Sequence, residues 1–151
     1  MKKVFLGVTL GAILTSLAFG GNTMDVYKSQ SCGCCGAWGD IMKKSGFEVK
    51  EHFTEKLIEL KATNNVPLEL ASCHTAVIDG YVVEGHVPAS DIKRLLELKP
   101  ADVVGISVPG MPLGSPGMEQ GGIVEDYDVI AFKKDGSYEI FASYKKGKRV
   151  R

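Results

Sequence analysis

The spacing of apolar residues predicts that a strand, a helix and a second strand follow one another after the first twenty residues. Met24–Tyr27 predicts a short strand. Ala37–Lys44 predicts a helix that ends at Ser45-Gly46, because glycine commonly lies just past a helix C-terminus. Apolar and charged residues alternate from Phe47 to Phe53, which is typical of a half-buried strand.

The middle of the chain adds two helices and a hairpin. A second helix is expected to run from a Thr54 cap to about Asn64, and Ser90 is expected to cap a third helix, Asp91–Leu98. Between these helices, Thr75–Ile78 and Tyr81–Glu84 flank an Asp-Gly pair, which is a strong signal for a two-residue hairpin turn.

This order of elements predicts the fold class. Strand, helix, strand, helix, hairpin and helix follow one another as in the thioredoxin arrangement, so we predict an α/β fold with a thioredoxin-like mixed sheet flanked by helices. Val108–Gly122 is expected to form a loop rich in Gly, Pro and Met. Asp128–Tyr144, around Asp135-Gly136, predicts an extra C-terminal β-hairpin.

The N-terminus has the features of an export signal. Lys2 and Lys3 precede an uncharged apolar run, Val4–Phe19, and small residues follow. The run is shorter than the ~20 residues of a membrane-spanning helix. We therefore predict a signal peptide at residues 1–20, and one domain at residues 21–151 that is periplasmic and has no membrane anchor after cleavage.

Composition and charge narrow the possible partners. The chain is 44% hydrophobic and 24% charged, with 18 basic and 18 acidic residues, as is ordinary for a globular protein. The basic cluster at the C-terminus is expected to be a solvated tail, so no nucleic-acid partner is predicted.

The cysteines are the most informative residues. Three of the four, Cys32, Cys34 and Cys35, lie within four positions, and the fourth is Cys73. Adjacent cysteines pair poorly with each other in a disulfide. A cluster of this kind favours a metal or redox site over a structural disulfide.

Two functions are compatible with this cluster. At the N-terminus of a helix the free N–H groups and the dipole stabilise thiolates. Cys32 and Cys35 have the spacing of a thiol–disulfide oxidoreductase, in which Cys32 would be the nucleophile and Cys35 the resolving thiol. Cys34 would offer a wrong partner in that chemistry, whereas three sulfurs at one helix end suit a soft metal.

The register of the predicted hairpin adds further ligands. Counting outward from the Asp-Gly turn places Cys73 opposite His86, so that their side chains are expected to be neighbours. The same count predicts that His74 points to the opposite face. His74 nevertheless stays a candidate ligand beside His86.

The donor set favours copper over zinc. Thiolates select Cu(I), zinc or iron–sulfur clusters. Vicinal cysteines favour bridging thiolates and more than one metal ion, whereas a closed Cys₃His set would suit zinc. Met111 and Met118 lie on turns stiffened by proline, and thioethers are good ligands for Cu(I).

Four motifs in order resemble those of the periplasmic CopG-type copper-resistance proteins. They are Cys32-Gly33-Cys34-Cys35, Ser72-Cys73-His74-Thr75-Ala76, Gly85-His86-Val87-Pro88, and the stretch from Val108 through Met111 and Met118 to Glu119. The resemblance covers essentially the whole mature chain. It implies a thioredoxin-like fold that holds a multinuclear copper–thiolate cluster and has a role in copper tolerance, with other copper-handling proteins of the cell envelope as possible partners.

Overall fold

The computed structural model describes residues 22–151, so the predicted signal peptide lies outside the described residues. The described residues form a mixed sheet of eight strands with three α-helices. The strands are β1 (Thr23–Lys28), β2 (Glu48–Phe53), β3 (Thr75–Ile78), β4 (Tyr81–Glu84), β5 (Val103–Ser107), β6 (Tyr127–Lys133), β7 (Tyr138–Lys145) and β8 (Lys148–Arg149). The helices are α1 (Gly33–Lys44), α2 (Leu57–Thr63) and α3 (Ala89–Leu98), with a 3-10 turn at Leu68–Leu70.

The sheet is open, with the strand order β2-β1-β3-β4-β5-β6-β7-β8. β1 pairs with β2 in parallel, as β4 does with β5, and the other neighbouring pairs are antiparallel. In the β3–β4 pair, Thr75 lies opposite Glu84 and Ile78 opposite Tyr81. Asp79 and Gly80 connect these strands with φ angles of +48° and +80°, as a type I′ turn requires.

Side chains from both faces of the sheet are buried. On one face, α1 contributes Trp38 and α3 contributes Leu95 to the main apolar cluster, which also contains Val83 of β4. The adjacent Val82 belongs to a smaller cluster with Phe132. Because successive residues of a strand point to opposite faces, the two clusters lie on opposite sides of the sheet.

Two helices begin earlier than predicted. α1 begins at Gly33 and not at Ala37, although glycine and cysteine are weak helix formers. Burial of Cys35 and packing of Gly117, in the loop at residues 108–122, against the backbone of this turn override the low helix propensity. Ser90 does not cap α3, because the helix begins after Pro88, whose carbonyl accepts the first helical N–H bond.

Two strands were absent from the sequence prediction. β5 is a continuous run, Val-Val-Gly-Ile-Ser, without the alternation of a half-buried strand, because it lies between β4 and β6 with both faces largely covered. β8 has only two residues, too few for a periodic pattern. Within residues 22–151, no helix has the length and apolar character needed to cross a membrane.

Candidate metal centre

The structure brings the four cysteines together. Cys32 is the N-cap residue of α1, Cys34 and Cys35 lie in its first turn, and Cys73 lies in the irregular segment just before β3. Their sulfur atoms all lie within 4.8 Å of one another. Cys35 is fully buried and the other three are partly exposed, so that the cluster opens to the surface.

Cys32 and Cys35 are joined by a disulfide, with their Cα atoms 5.4 Å apart. Cys34 and Cys73 are free thiols. The Sγ atom of Cys34 lies 3.6 Å from that of Cys32. The C-x-x-C pair thus occupies its two-electron oxidised state, and reduction of this bond would release two more sulfurs into the same cluster.

The hydrogen bonds of His86 orient its ring so that Nε2 can act as a ligand. Its Nε2 lies 3.0 Å from Cys73 Sγ, the neighbour relation that the hairpin register predicts. Its Nδ1–H donates to the carbonyl oxygen of Pro116 at 2.8 Å. A carbonyl can only accept, so this bond fixes the tautomer and leaves the lone pair of Nε2 directed at Cys73.

The prediction that His74 points away from the cluster is wrong. The backbone pairing continues to His74, whose carbonyl accepts the Gly85 N–H, but Gly85 has a φ of +73°, so the extended geometry that strand alternation requires ends there. His74 Nδ1 lies 3.3 Å from Cys73 Sγ, and its ring centroid is 5.2 Å from that of His86. The ligand atoms of Cys73, His74 and His86 lie within 4.8 Å of one another, which makes a second potential metal-binding group that shares Cys73.

Burial keeps this second group uncharged. It lowers the pKa of His74 well below its usual range, and the nearby His86, Lys61 and Lys28 lower it further. Burial also lowers the pKa of His86. Burial, reinforced by Cys34, raises the pKa of the Cys73 thiol to about 12. At neutral pH the group therefore contains neutral imidazoles and a protonated thiol.

His74 also has an unsatisfied nitrogen. Among the described residues, no hydrogen-bond partner lies within reach of its buried Nε2. The ring is held against Trp38, with centroids 4.5 Å apart, and the indole N–H of Trp38 donates to Val87 O at 2.9 Å. Cys73 Sγ can donate its hydrogen to His86 Nε2 and accept one from His74 Nδ1, which leaves His74 Nε2 without a partner among the described residues. A metal ion bound at Cys73 could instead accept a lone pair from each imidazole.

The two methionines of the loop have different environments. Met111 is 51% exposed, which is unusual for a side chain that serves only in packing. Met118 is 9% exposed, so core packing accounts for its burial. Between them, the Pro116 carbonyl contacts His86, and Gly117 lies against the backbone of α1 at Cys34. The loop thus covers one side of the cysteine cluster.

A buried polar network behind Cys73 was absent from the sequence prediction. Glu84 and Lys61 form an ion pair at 2.5 Å, with Thr75 bonded to both side chains. Glu84 also accepts the backbone N–H of Ser72 at 2.6 Å. Glu84 is the charged residue at the end of β4, whose other residues are Tyr and Val, and it lies two positions before His86. A charge at the end of such a strand could have drawn attention to Glu84 from the sequence alone.

Comparisons with known proteins identify the family. Residues 70–118 match a family model described as "Protein of unknown function, DUF411". The structure titled "Copper resistance protein copG- Form 2" is 43% identical, with 83% of this chain and 99% of that chain covered and a TM-score of 0.79. The structure titled "Copper resistance protein copG- Form 1" is 44% identical, with 81% and 96% covered and a TM-score of 0.77.

No curated protein sequence gives a significant match. The identity and the coverage of the two solved structures are sufficient to assign the family. The matched residues 70–118 contain Cys73, His74 and His86 together with both methionines of the loop. The chain belongs to the family of the copper resistance protein CopG.

Proposed function

We propose that this protein binds copper as Cu(I), in a multinuclear cluster of cysteine thiolates, and that it acts in copper resistance. The observation that carries the proposal is the convergence of four sulfurs and two neutral imidazoles in two groups that share Cys73. The proposed ligands are Cys32, Cys34, Cys35 and Cys73, with His86 and His74 supplying nitrogen. Copper is the cargo of this site, held after the Cys32–Cys35 disulfide has been reduced.

The donor set supports copper more than zinc. Thiolates and thioethers are the soft ligands that select Cu(I), and imidazoles suit copper as well. Adjacent cysteines on one helix turn favour bridging thiolates and hence more than one ion. Both similar structures are described as copper resistance proteins, which supports copper as the metal for this chain as well.

Copper binding would displace a proton. The Cys73 thiol, whose pKa burial raises to about 12, must lose its proton to bridge metal ions. The imidazoles need no such change, because burial lowers the pKa of His74 and of His86 and keeps them neutral. Apparent copper affinity is therefore expected to increase with pH across the neutral range.

Met111 and Met118 are proposed as a thioether gate to the cluster. The exposed Met111 would meet incoming copper first. Its loop is joined to the Cys73 segment, since the Ser72 hydroxyl donates to the Gly110 carbonyl. Met118 would take part only if the segment around Gly117 moves, because its side chain is buried.

We also propose a periplasmic location and a thioredoxin-like fold. The basic start, apolar run and small residues of positions 1–20 support export. The parallel β1–β2 pair around α1, followed by the antiparallel β3–β4 pair and α3, supports the thioredoxin-like assignment. Passage of copper to or from other envelope proteins is part of the same proposal.

The proposal is tested by metal analysis of the reduced mature protein. The protein is exposed to equal copper and zinc under nitrogen, and its thiols are titrated alongside. We expect more than one copper per chain and protection of all four thiols. Zinc in place of copper, or no metal together with a reversible disulfide between two thiols, would contradict the proposal.

Cys34→Ser separates the cluster from the redox pair. Loss of the third sulfur of α1 is expected to abolish multinuclear copper binding, while Cys32 and Cys35 remain able to form their disulfide. Ser31→Ala is the matched control, because it removes a hydroxyl just before the motif and leaves every sulfur in place. Unchanged copper stoichiometry in Cys34→Ser would contradict the bridging role of Cys34.

The second candidate function is thiol–disulfide exchange. The disulfide between Cys32 and Cys35 at the start of α1 favours it. In a thioredoxin the position near Cys73 holds a proline beside the redox pair. Here a third thiol lies there, and its backbone carbonyl oxygen lies 3.8 Å from Cys35 Sγ. Turnover of a disulfide substrate by the metal-free protein would favour this function over copper binding.

A further inference from the structure

A buried ion pair lies directly behind the Cys73 segment. Glu84, at the end of β4, is 0% exposed, and its partner Lys61 in α2 is 9% exposed. Their atoms Oε1 and Nζ are 2.5 Å apart. The Thr75 hydroxyl donates to the other carboxylate oxygen at 2.7 Å and accepts from Lys61 at 2.9 Å.

The same carboxylate holds the residue before Cys73. The Ser72 N–H donates to Glu84 Oε1 at 2.6 Å. The Ser72 hydroxyl in turn donates to the carbonyl of Gly110, next to Met111. A single carboxylate therefore links α2 and β4 to the segment that carries one cluster sulfur and to the loop that carries the exposed methionine.

Stability alone is a weak reason for such a pair. Removing two charges from water is costly, and apolar replacements of similar volume are often neutral or stabilising. The segment before β3 is irregular: the carbonyls of Ala71 and His74 accept the N–H groups of Gly110 and Gly85, but Cys73 between them has no strand partner. The short bond from the Ser72 N–H to the Glu84 carboxylate adds a constraint directly before Cys73, because charge-assisted hydrogen bonds are stronger than neutral ones.

We infer that Glu84, held by Lys61 and Thr75, is a positioning residue that fixes Cys73 against His86 and the cysteines of α1 through the backbone of Ser72. The inference rests on the proposed function, since copper retention is the property that this geometry serves. In the metal-free protein, the same contacts keep the Cys73 thiol in place and shielded.

Two double variants test the role of the hydrogen bond. Glu84→Leu with Lys61→Met removes the acceptor together with both charges. Glu84→Gln with Lys61→Met removes the charges but keeps an oxygen for the Ser72 N–H and an amide for the Thr75 hydroxyl. Asp91→Asn is the matched control, because Asp91 is also 0% exposed but accepts its bond from Tyr144.

The first measurement needs no metal. In a Cys34→Ser background with the Cys32–Cys35 disulfide formed, Cys73 is the remaining free thiol. Its reaction with Ellman's reagent is expected to accelerate about tenfold in the leucine variant, which corresponds to about 1.4 kcal/mol and the loss of one hydrogen bond. The glutamine variant and Asp91→Asn should stay close to the parent.

The second measurement is copper retention in competition with a chromophoric Cu(I) chelator, with all four cysteines present and reduced. We expect the leucine variant to lose copper at about tenfold lower chelator concentration, and the glutamine variant to restore most of that loss. A folded leucine variant with unchanged thiol reactivity and unchanged copper retention would overturn the inference. So would equal effects in both double variants.

Two further cases are covered: a leucine variant that does not fold, and a parent protein that binds no copper. If the leucine variant does not fold, Thr75→Val loosens the carboxylate without removing it, and a smaller acceleration in the same direction is expected; no acceleration would overturn the inference. If the parent protein binds no copper but the thiol still responds as expected, the positioning role stands and the copper proposal fails.

Discussion

Gly117 is the point at which the loop touches the cysteine-bearing helix. A Cβ atom added there would lie 2.8 Å from the backbone nitrogen of Trp38 and 2.9 Å from the carbonyl oxygen of Cys34. The φ angle of Gly117 is +83°, a conformation that residues with a Cβ rarely adopt. Gly117→Ala therefore adds backbone strain and forces the loop away from α1.

The size of the effect follows from these two causes. A left-handed conformation costs alanine roughly 1–2 kcal/mol. An overlap with backbone atoms, which cannot rotate away, adds about 1–3 kcal/mol. The sum, about 2–5 kcal/mol, lies at or below the low end of the 5–15 kcal/mol by which typical domains are stable, so we expect the variant to fold with reduced stability.

The displacement should also reach the metal site. Pro116 precedes Gly117, and its carbonyl holds the Nδ1–H of His86. When the loop moves, His86 loses the bond that fixes its tautomer, and loss of such a hydrogen bond to a metal ligand lowers metal affinity about 10–100-fold. Gly117→Ala is thus expected to weaken copper binding as well as the fold.

Gly122→Ala is the matched control in the same loop. Gly122 has a similar φ of +72°, but no atom lies within 4 Å of its added Cβ. Both variants share the backbone strain and the reduced entropy of the unfolded chain. Chemical denaturation should therefore show about 1–3 kcal/mol of extra loss for Gly117→Ala. Equal losses of stability and equal copper binding would refute the proposed contact between loop and helix.

Two other predictions concern the loop and the buried hydrogen bond between Tyr144 and Asp91. Met111→Leu should alter the rate of copper exchange, measured by stopped-flow transfer to a chelator, with little change in copper affinity. Met42→Leu, in the apolar core, is the control. Equal exchange rates in the two variants would mean that Met111 is a surface residue without a role in copper exchange. Tyr144 donates a 2.6 Å bond to buried Asp91, and burial raises the Tyr144 pKa to about 12. The folded state then holds its proton more tightly than the unfolded state, so stability should fall as pH rises from about 10 to 12. Denaturation curves of Tyr144→Phe should show a shallower fall over that range, and an unchanged slope would contradict the assignment.

Local signals in the sequence were enough to predict much of the fold. The Asp79-Gly80 turn requires positive φ angles and determines the register of β3 and β4, from which the proximity of Cys73 and His86 follows. β5 could not be found in this way, because a strand covered on both faces loses the alternation that marks it.

The candidate site was predictable in composition but not in detail. Cysteine spacing indicated the cluster, since residues of one helix turn must lie close together. The position of His74 depends on where β3 begins, and the ion pair of Lys61 with Glu84 joins residues 23 positions apart. Such contacts are set by tertiary packing, which leaves no periodic signal in the sequence.

The two candidate functions make opposite demands on the same sulfur atoms. A disulfide between Cys32 and Cys35 leaves Cys34 and Cys73 as the free thiols, whereas the proposed cluster needs four thiolates. Forming the disulfide removes two electrons and two ligands, so oxidation of the pair must release copper or reduce the number of ions held. Bound copper must in turn protect the pair from oxidation. The rate at which an oxidant forms the disulfide, measured with and without copper, therefore distinguishes a site that holds copper on four thiolates from one that works as a disulfide pair.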